Sequence, residues 1–482
     1  MSIKQGWELV VGLEVHCELA TATKIFCGCA NQFGEEANTN ICPVCLGLPG
    51  SLPVLNKTAV DYAMRIGAAL HCSIEPSVFH RKNYFYPDMP KDYQVSQYDR
   101  TINVDGWLEL PNGTRIEIER AHMEEDTGKT SHVGGTGGRI HGADHSLVDY
   151  NRAGVPLVEI VSRPDLRSGE DAKSYVAELR SILVATGASD GKMEEGSLRV
   201  DANVSVRKPG EPLGTRCEIK NLNSLRSLVR AIDYEANRQI DLLETGQKIH
   251  QETRHWSEDE GRTSSMRSKE EAYDYRYFQE PDLVPIDPSA EWIAAVKAAL
   301  PVMPSEKRHA LSIATGGDLA PSSDPIVTVI DQGLDHLVFA AVEQGADARR
   351  AITRVANDVA AADESVRAGL GPLFVGHFVK LLAMEANGQL TSTQTKQILG
   401  EMLDSGGDPV LIAADRGFEA LDTGVSEAMV DELIAAHPGE FERLRGGDAK
   451  VTGFFVGQAM KASGGKADGK VVTTLLRQKA GL

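Results

Sequence analysis

The stretch GLEVHCEL, residues 12–19, carries side chains whose types and spacing could do chemistry. In an extended strand alternate residues face opposite sides, so Glu14, His16 and Glu18 share one face while apolar side chains share the other. The apolar face is typical of a half-buried strand that packs on a core. Carboxylates with one imidazole form a ligand set for Mg²⁺ or Mn²⁺, and the nitrogen slightly favours Mn²⁺.

Further carboxylates lie in strand-like stretches before residue 290. RAHMEEDTGKT contains Glu124 and Glu125, and GVPLVEIVS places Glu159 inside an apolar run. A lone buried carboxylate is unfavourable unless it is paired, so we expect these strands to share one sheet face with His16. A solvated acidic sheet face is the alternative for each residue taken singly. Other members of the expected cavity are Asp126, Glu194, Glu195, Asp201, Glu218 and Lys220.

Magnesium normally binds together with phosphates, which suggests a nucleotide. The GKT at 128–130 resembles the end of a Walker-type loop, but Met123 stands where that motif needs glycine. A bound nucleotide would therefore occupy an unusual sheet cradle.

Four cysteines form two close pairs. Cys27 and Cys29 are separated from Cys42 and Cys45 by twelve residues, a spacing that predicts a structural zinc knuckle over 27–45. Disulfides are the alternative, which an intracellular location would disfavour. The remaining cysteines are expected to fill the core: Cys17, Cys72 and Cys217.

The chain has 482 residues, of which 41% are hydrophobic and 25% charged, a balance typical of globular proteins. We expect a cytoplasmic protein, because no apolar run reaches the roughly 20 residues of a membrane helix and the N-terminus does not resemble a signal peptide. The net charge of −19 excludes nucleic-acid binding over the whole surface. Residues 440–482 nevertheless hold eight Lys and Arg against four Asp and Glu, a local patch for RNA.

Alternating patterns such as SLRVDANVSVR predict an α+β fold with a large, mostly antiparallel sheet. Helices are expected at 56–70, 169–187 and 224–246 within this part of the chain. Three prolines in QEPDLVPIDPSAEW mark a change to helical sequence. The predicted domains are a cradle domain at 1–293, an all-α domain at 294–405 and a small helical tail at 406–482.

Seven blocks together resemble the GatB/GatE family, the B subunits of tRNA-dependent amidotransferases. They are GLEVHCEL, RKNYFYPDMPKDYQVSQY, HMEEDTGK, DYNRAGVPLVEIVSRPD, KMEEGSLRVDANVSV, EIKNLNS and YDYRYFQEPDLVP. The blocks follow the family's order across residues 8–285, and GFFVGQAMKAS resembles the family's C-terminal end.

The resemblance implies a carbon–nitrogen ligase that uses ATP and Mg²⁺. A protein of this family would phosphorylate the side-chain carboxylate of Glu-tRNA(Gln) or Asp-tRNA(Asn), and ammonia would then displace the phosphate. Ammonia would come from glutamine through the amidase subunit GatA, with GatC completing a heterotrimer. The tail, of the YqeY type, would bind the tRNA. Structural Zn²⁺ would occupy the four cysteines.

The resemblance also implies roles for individual residues. The metal ligands would be His16, Glu125 and Glu159, with Glu14 and Glu124 joining through water or holding a second metal. Lys82 would contact phosphate. Tyr84 and Tyr86 would contact nucleotide or substrate. Further cofactor or catalytic contacts, for which ordinary sheet salt bridges are the alternative, would come from Asn151, Arg152, Glu194, Asp201, Asn203 and Lys220.

Two other functions remain open on the sequence alone. One is a non-catalytic, zinc-containing tRNA-binding subunit, which predicts no ATP turnover. The other is an ATP-dependent ligase acting on a free amino acid, against which the basic tail argues. The role of the glycine-rich loop at 130–146 is also open.

Overall fold

The computed structural model describes residues 3–134, 142–268, 275–418, 423–448, 450–463, 467 and 469–481, without the side chains of 267, 268, 423–426 and 470. The chain divides into two compact units, Met1–Glu306 and Lys307–Leu482. The first unit is built on a sheet and the second is helical.

The described strands of the first unit alternate with turns as the sequence predicts. They are β1 (Glu8–Glu18), β2 (Ser73–Ile74), β3 (His80–Asn83), β4 (Tyr93–Ser96), β5 (Asn103–Glu109), β6 (Arg115–Glu125), β7 (Lys129–Val133), β8 (His145–Asp149), β9 (Pro156–Ser162), β10 (Leu198–Arg207), β11 (Cys217–Lys220), β12 (Glu252–Ser257), β13 (Arg262–Ser268) and β14 (Phe278–Gln279). The predicted α+β class is confirmed.

Within the described ranges, twelve strands form one sheet in the order β13-β12-β11-β10-β1-β9-β6-β4-β3-β14, with β5 on β6 and β2 on β5. Strands β7 and β8 form a separate hairpin. Pairing is antiparallel along the centre of the sheet, whereas β11 and β12 are parallel.

Each helix of the first unit begins where a polar side chain accepts a backbone N–H, which satisfies one of the helix's otherwise unpaired donors. The helices are α1 (Lys57–Ala69), α2 (Gly169–Ala185), α3 (Leu225–Glu244) and α4 (Ala290–Ala298), capped by Asn56, Ser168, Ser224 and Ser289. The first three match the predicted helices within two residues.

The apolar face of β1 lies in the core. Val11, Leu13, Val15 and Cys17 are fully buried and belong to one apolar cluster with side chains of α1, α2 and α3. Cys72 and Cys217 are also buried, as expected for core cysteines. The polar face of the same strand therefore points away from this core.

Strand register brings the polar residues of distant segments together. His16 of β1 lies opposite Glu159 of β9, which in turn lies opposite His122 of β6. On the other edge of β1, His16 lies opposite Arg199 of β10, and Glu14 lies opposite Asp201. We call this polar face of β1, β6, β9, β10 and β11 the cradle floor.

The remaining helices begin at Pro304, close to the end of the first unit. They are α5 (Pro304–Ala314), α6 (Asp324–Asp331), α7 (Asp335–Glu343), α8 (Ala348–Arg354) with a π-helical turn (Val355–Val359), α9 (Glu364–Ala368), α10 (Pro372–Ala386), α11 (Ser392–Ser405), α12 (Pro409–Asp415), α13 (Thr423–Ala436), α14 (Pro438–Arg445), α15 (Lys450–Ala462) and α16 (Gly469–Ala480). Thr391 and Gln394 form a capping box on α11, and Gly406 ends it at φ 76°.

Two predicted boundaries shift. Helix α4 belongs to the sheet unit, because Val296 lies in its core and Trp292 Nε1 donates to Asp61 at 2.7 Å, so this unit extends to Glu306 rather than 293. Helix α12 packs Ile412 into the apolar cluster of the preceding helices. A second cluster, from Val430 to Leu476, forms the core of the tail, which therefore begins after α12 and not at 406.

Among the described residues, no single helix is long and apolar enough to cross a membrane. One pair, α6 with α7, passes the same criteria of length and composition jointly but is bent by 109°.

Candidate active site on the cradle floor

Three side chains of the cradle floor form a compact group. His16, Glu124 and Glu159 each offer a ligand atom, and these atoms all lie within 4.8 Å of one another. His16 Nε2 is 3.6 Å from Glu159 Oε2 and 3.8 Å from Glu124 Oε1. We call these three residues the His16 cluster. An imidazole with two carboxylates on rigid strands fits a hard divalent cation such as Mg²⁺ or Mn²⁺.

Glu125, predicted from the sequence as a metal ligand, lies on the opposite face of β6. It forms an ion pair with Lys91, and its Oε1 accepts the backbone N–H of Val95 at 2.8 Å. The cause is strand alternation: Ala121 and Met123 face the core, and Glu125 continues their side. The geometry therefore replaces Glu125 with Glu124 in the candidate ligand set.

His122 is a member of the site that was not predicted from the sequence. Its Nε2 lies 3.4 Å from Glu159 Oε2, and its Nδ1 is buried without a hydrogen-bond partner among the described residues. Burial lowers the pKa of His122 to about 4, so the ring is neutral near pH 7. The sequence could have identified His122, because it lies two residues from Glu124 on one strand and therefore shares its face.

The cluster attracts positive charge. Burial alone would lower the pKa of His16, but the Glu159 and Glu124 carboxylates raise it to about 9. Burial raises the pKa of Glu124, and the neighbouring Glu159 raises it further. A proton on His16 balances these acids here, and a divalent cation could balance them instead by taking the proton's place on the imidazole.

Predicted site residues on β1, β10 and β11 also meet on the floor. Asn203 Nδ2 donates to Glu14 Oε1 at 2.8 Å. Lys220 Nζ lies 2.8 Å from Asp201 Oδ2 and 3.0 Å from Glu218 Oε1. Burial would lower the pKa of Lys220, but these two carboxylates raise it well above its usual value, so the ammonium is permanent.

Lys82 and Tyr84 approach the His16 cluster from β3 and the turn after it, and both line a cavity that the cluster borders. Lys82 Nζ lies 4.8 Å from the centre of the Tyr275 ring. The Tyr84 and Tyr86 rings stack at 4.8 Å, and Tyr86 is half exposed. These contacts place a cation and aromatic surface beside the acidic floor.

A second charged group surrounds Asp126, the residue after β6. Asp126 Oδ2 lies 3.0 Å from Arg199 Nη2 and 3.1 Å from Arg152 Nε, and Oδ1 accepts the Thr127 N–H at 2.8 Å. Glu18 hydrogen-bonds to Asp126, and burial together with that carboxylate raises the pKa of Glu18 to about 8. We call Glu18, Asp126, Arg152 and Arg199 the Asp126 cluster.

Two cavities share the floor. The larger, about 950 Å³, is lined by the Asp126 cluster's arginines and by Glu194. The smaller, about 500 Å³, is lined by Lys82, Tyr98 and Tyr277 among others. His16 and Lys220 line both cavities, whereas Glu124 and Glu159 line only the smaller one, so His16 lies where two substrates could meet.

Asn151 supports the loop beside the larger cavity rather than offering free polar atoms to it. Its Nδ2 donates to the Glu36 carbonyl at 2.7 Å, and its Oδ1 accepts the Asn40 N–H at 2.8 Å. These bonds hold the loop between the two cysteine pairs.

The four predicted zinc cysteines converge. One Sγ from each of Cys27, Cys29, Cys42 and Cys45 lies within 4.8 Å of the others. A hydrogen bond from Cys27 lowers the pKa of Cys45, as do the Cys42 backbone N–H and the Lys24 ammonium. Four thiol groups that converge and favour a thiolate fit tetrahedral Zn²⁺.

Comparison with known proteins agrees with this architecture. The family model of the GatB/GatE catalytic domain matches residues 9–294, and the model of the GatB domain matches 336–480. The B subunits of the aspartyl/glutamyl-tRNA(Asn/Gln) amidotransferases of Salinispora tropica and Frankia casuarinae are 49% and 48% identical over 493 and 491 residues. Each alignment covers 99% of this chain, and 97% and 96% of the relative. The corresponding Thermosynechococcus vestitus protein is 47% identical over 486 residues, covering 98% of this chain and 96% of the relative.

The sheet cradle, its acidic floor and these matches define the class as a subunit of a tRNA-dependent amidotransferase. The chain belongs to the GatB/GatE family. The predicted family membership is confirmed, and the alternative of a non-catalytic RNA-binding module is not favoured.

Proposed function

We propose that the cradle floor phosphorylates the side-chain carboxylate of Glu-tRNA(Gln), Asp-tRNA(Asn) or both, using ATP, and that ammonia then converts the acyl phosphate to the amide. The observation that carries this proposal is the His16 cluster, whose imidazole lies at the junction of two cavities and whose two acids line the smaller one. The names of the relatives, which specify aspartyl/glutamyl-tRNA amidotransferases, support the substrate class.

The reaction has two balanced steps. A carboxylate oxygen attacks the γ-phosphorus of ATP, and the bond to the leaving ADP oxygen breaks. Ammonia then attacks the acyl carbon, inorganic phosphate leaves, and the nitrogen loses a proton. Phosphoryl transfer depends chiefly on positioning and charge neutralisation, which fixed side chains on sheet strands can supply.

The residues would divide this work by position. His16, Glu124 and Glu159 would hold Mg²⁺, which when bound neutralises phosphate charge. Lys82, beside the cluster, would bind a phosphate oxygen directly. His122, neutral and in contact with Glu159, would orient that carboxylate. Lys220 would hold Asp201 and Glu218 in place.

The four cysteines would hold one structural Zn²⁺, because four thiolates leave no open coordination position for catalysis. The ammonia would come from an amidase subunit, GatA, with GatC as the third partner. The relatives are each named as one lettered subunit of an amidotransferase, which supports an assembly with further chains.

The test is formation of amidated tRNA by the reconstituted complex, with ammonia supplied directly so that the amidase is bypassed. His16→Ala, Glu124→Gln and Glu159→Gln should each lower the rate about 100-fold or more, since each removes a ligand from a phosphoryl-transfer site. The matched control is Glu119→Gln on the same strand, an exposed glutamate next to Arg120. Full activity in the three cluster variants would refute the proposal.

A further inference from the structure

The Asp126 cluster brings two guanidinium groups to one buried carboxylate from separate parts of the chain. Arg199 lies on β10 directly opposite His16, and Arg152 lies in the turn that precedes β9. Asp126 follows β6 and is only 3% exposed. The sheet therefore fixes the position of Arg199, and the ion pair with Asp126 holds Arg152 at the turn before β9.

Asp126 accepts only some of the hydrogen bonds that Arg152 and Arg199 can donate. A guanidinium carries five N–H donors. The structure gives Arg199 one bond to Asp126, and its Nε is buried without a partner among the described residues. Arg152 uses its Nε on Asp126 and the Thr127 carbonyl. Both side chains are about a third exposed and line the larger cavity.

We propose that Arg152 and Arg199 bind the side-chain carboxylate of the aminoacyl group on the tRNA and so select acidic over amidated aminoacyl-tRNA. The inference rests on the proposed function and assigns the residues that recognise its acceptor. The planar fork of an arginine matches a carboxylate with two parallel N–H···O bonds. An amide in the same place would turn its NH₂ toward N–H donors, which disfavours the product and promotes its release.

The cavity favours a single carboxylate over a polyphosphate. Carboxylates outnumber Lys and Arg in the lining of the larger cavity, which repels a highly charged anion. The smaller cavity contains Lys82, Arg120 and Arg216 and is better suited to phosphates. Arg199 also borders the space that contains His16 and Lys82, so a carboxylate on it would lie beside the phosphates.

The experiment measures equilibrium binding of Glu-tRNA(Gln) and Gln-tRNA(Gln) to the reconstituted complex without ATP. The arginines would make charge-assisted hydrogen bonds to the glutamyl carboxylate and not to the glutaminyl amide. We therefore expect the wild type to bind the glutamyl form roughly 10–100-fold more tightly. Arg199→Ala and Arg152→Ala should each abolish most of that preference while binding of uncharged tRNA persists. Arg199→Lys, which keeps the charge but loses the fork, should retain a fraction of it.

The matched control is Arg207→Ala, on the same strand β10 but bonded to Glu8 at 2.7 Å. Zinc content and circular dichroism of each variant report on folding, and Arg199→Lys provides a test if the alanine variants do not fold. Binding of ATP by each variant is measured in parallel.

An unchanged preference in the arginine variants, or none in the wild type, would overturn the inference. Loss of ATP binding with the aminoacyl preference intact would also overturn it, because the arginines would then bind phosphate. Failure of the wild-type complex to form amidated tRNA would instead contradict the proposed function, and the binding preference would still test the arginines.

Discussion

Two groups of buried glutamates in this protein differ in what surrounds them. Glu235 on α3 is fully buried, and hydrogen-bond donors surround both of its oxygens. The donors are Arg238 at 2.6 Å, Gln239 at 2.9 Å and Thr263 at 2.9 Å, and Arg254 adds an ion pair at 3.3 Å. Glu124 and Glu159 on the cradle floor instead face each other and two imidazoles at 3.4 to 4.0 Å.

The difference separates structural acids from functional ones. Arginines from the chain itself balance the charge of Glu235, so it ties α3 to β12 and β13 without any ligand. Glu124 and Glu159 are held close enough to repel, and only protonation or a bound cation offsets that repulsion. Burial alone does not identify an active site, whereas like charges balanced only by the proton of an imidazole, which a metal ion can replace, indicate one.

The largest effect is expected from removing the structural acid. Glu235→Ala should lower the free energy of unfolding by about 3–5 kcal/mol, because it leaves the buried Arg254 and the partly buried Arg238 without their shared partner. Chemical denaturation measures this. Glu244→Gln on the same helix removes only a surface ion pair with Lys4 and weakens a hydrogen bond from Trp7, so it should shift the midpoint far less. Equal effects of the two substitutions would remove the distinction between structural and functional acids.

The functional acid should affect activity far more than stability. Burial alone would raise the pKa of Glu159, but the neighbouring imidazoles and Lys82 hold it well below its usual value, so the ionised carboxylate stabilises the fold at neutral pH. Glu159→Gln should therefore lower the stability of the metal-free protein, but less than Glu235→Ala does, while amidation falls about 100-fold or more. Denaturation with a chelator present, alongside the amidation assay, gives both quantities. A large loss of stability with unchanged activity per folded molecule would make Glu159 a structural residue like Glu235.

The cysteine cluster extends the comparison to a site that requires a cation for its structure. Cys45→Ser should eliminate the single expected equivalent of zinc and loosen the segment 27–45, which raises its protease sensitivity. Metal analysis and limited proteolysis measure this, with Cys72→Ser as the control. Normal zinc in the Cys45 variant would rule out the site.

The smallest effect is expected where charges are exposed. Lys461 on α15 is solvent-exposed and should contact tRNA phosphate, so Lys461→Ala should weaken tRNA binding a few-fold and reduce the salt slope by about 0.7–0.9. Lys479, held by Asp431 at 2.8 Å, is the control. Lys466 and the side chain of Lys470, expected to act with Lys461, lie outside the described residues. An unchanged slope would exclude Lys461 as a phosphate contact.

Local patterns in the sequence predicted much of this structure. Alternation in GLEVHCEL placed His16 and Glu14 on the polar face, and the helices expected from residues 56 and 169 begin at Lys57 and Gly169. The same rule could have distinguished Glu124 from Glu125, since Met123 is apolar and shares its face with Glu125.

Contacts between distant segments of the chain could not be predicted from a single sequence. Nothing local shows that Arg199 and Arg152 meet at Asp126, because β10, β6 and the turn before β9 are joined only by strand order. The domain boundaries predicted at 293 and 405 differ from the structure because prolines and glycines mark the ends of helices, not which core a helix joins. Helices α4 and α12 show this.

The strand order also determines when β1 can pair with its neighbours during synthesis on the ribosome. Strand β1 pairs with β9 and β10, which are made only when the ribosome reaches residues 156–162 and 198–207. At about 5–20 residues per second, β1 waits on the order of 10 s for its first partner. During that interval the apolar face of β1 and both of its hydrogen-bonding edges are exposed to other chains. Unpaired, β1 is therefore a binding site for chaperones and can start aggregation.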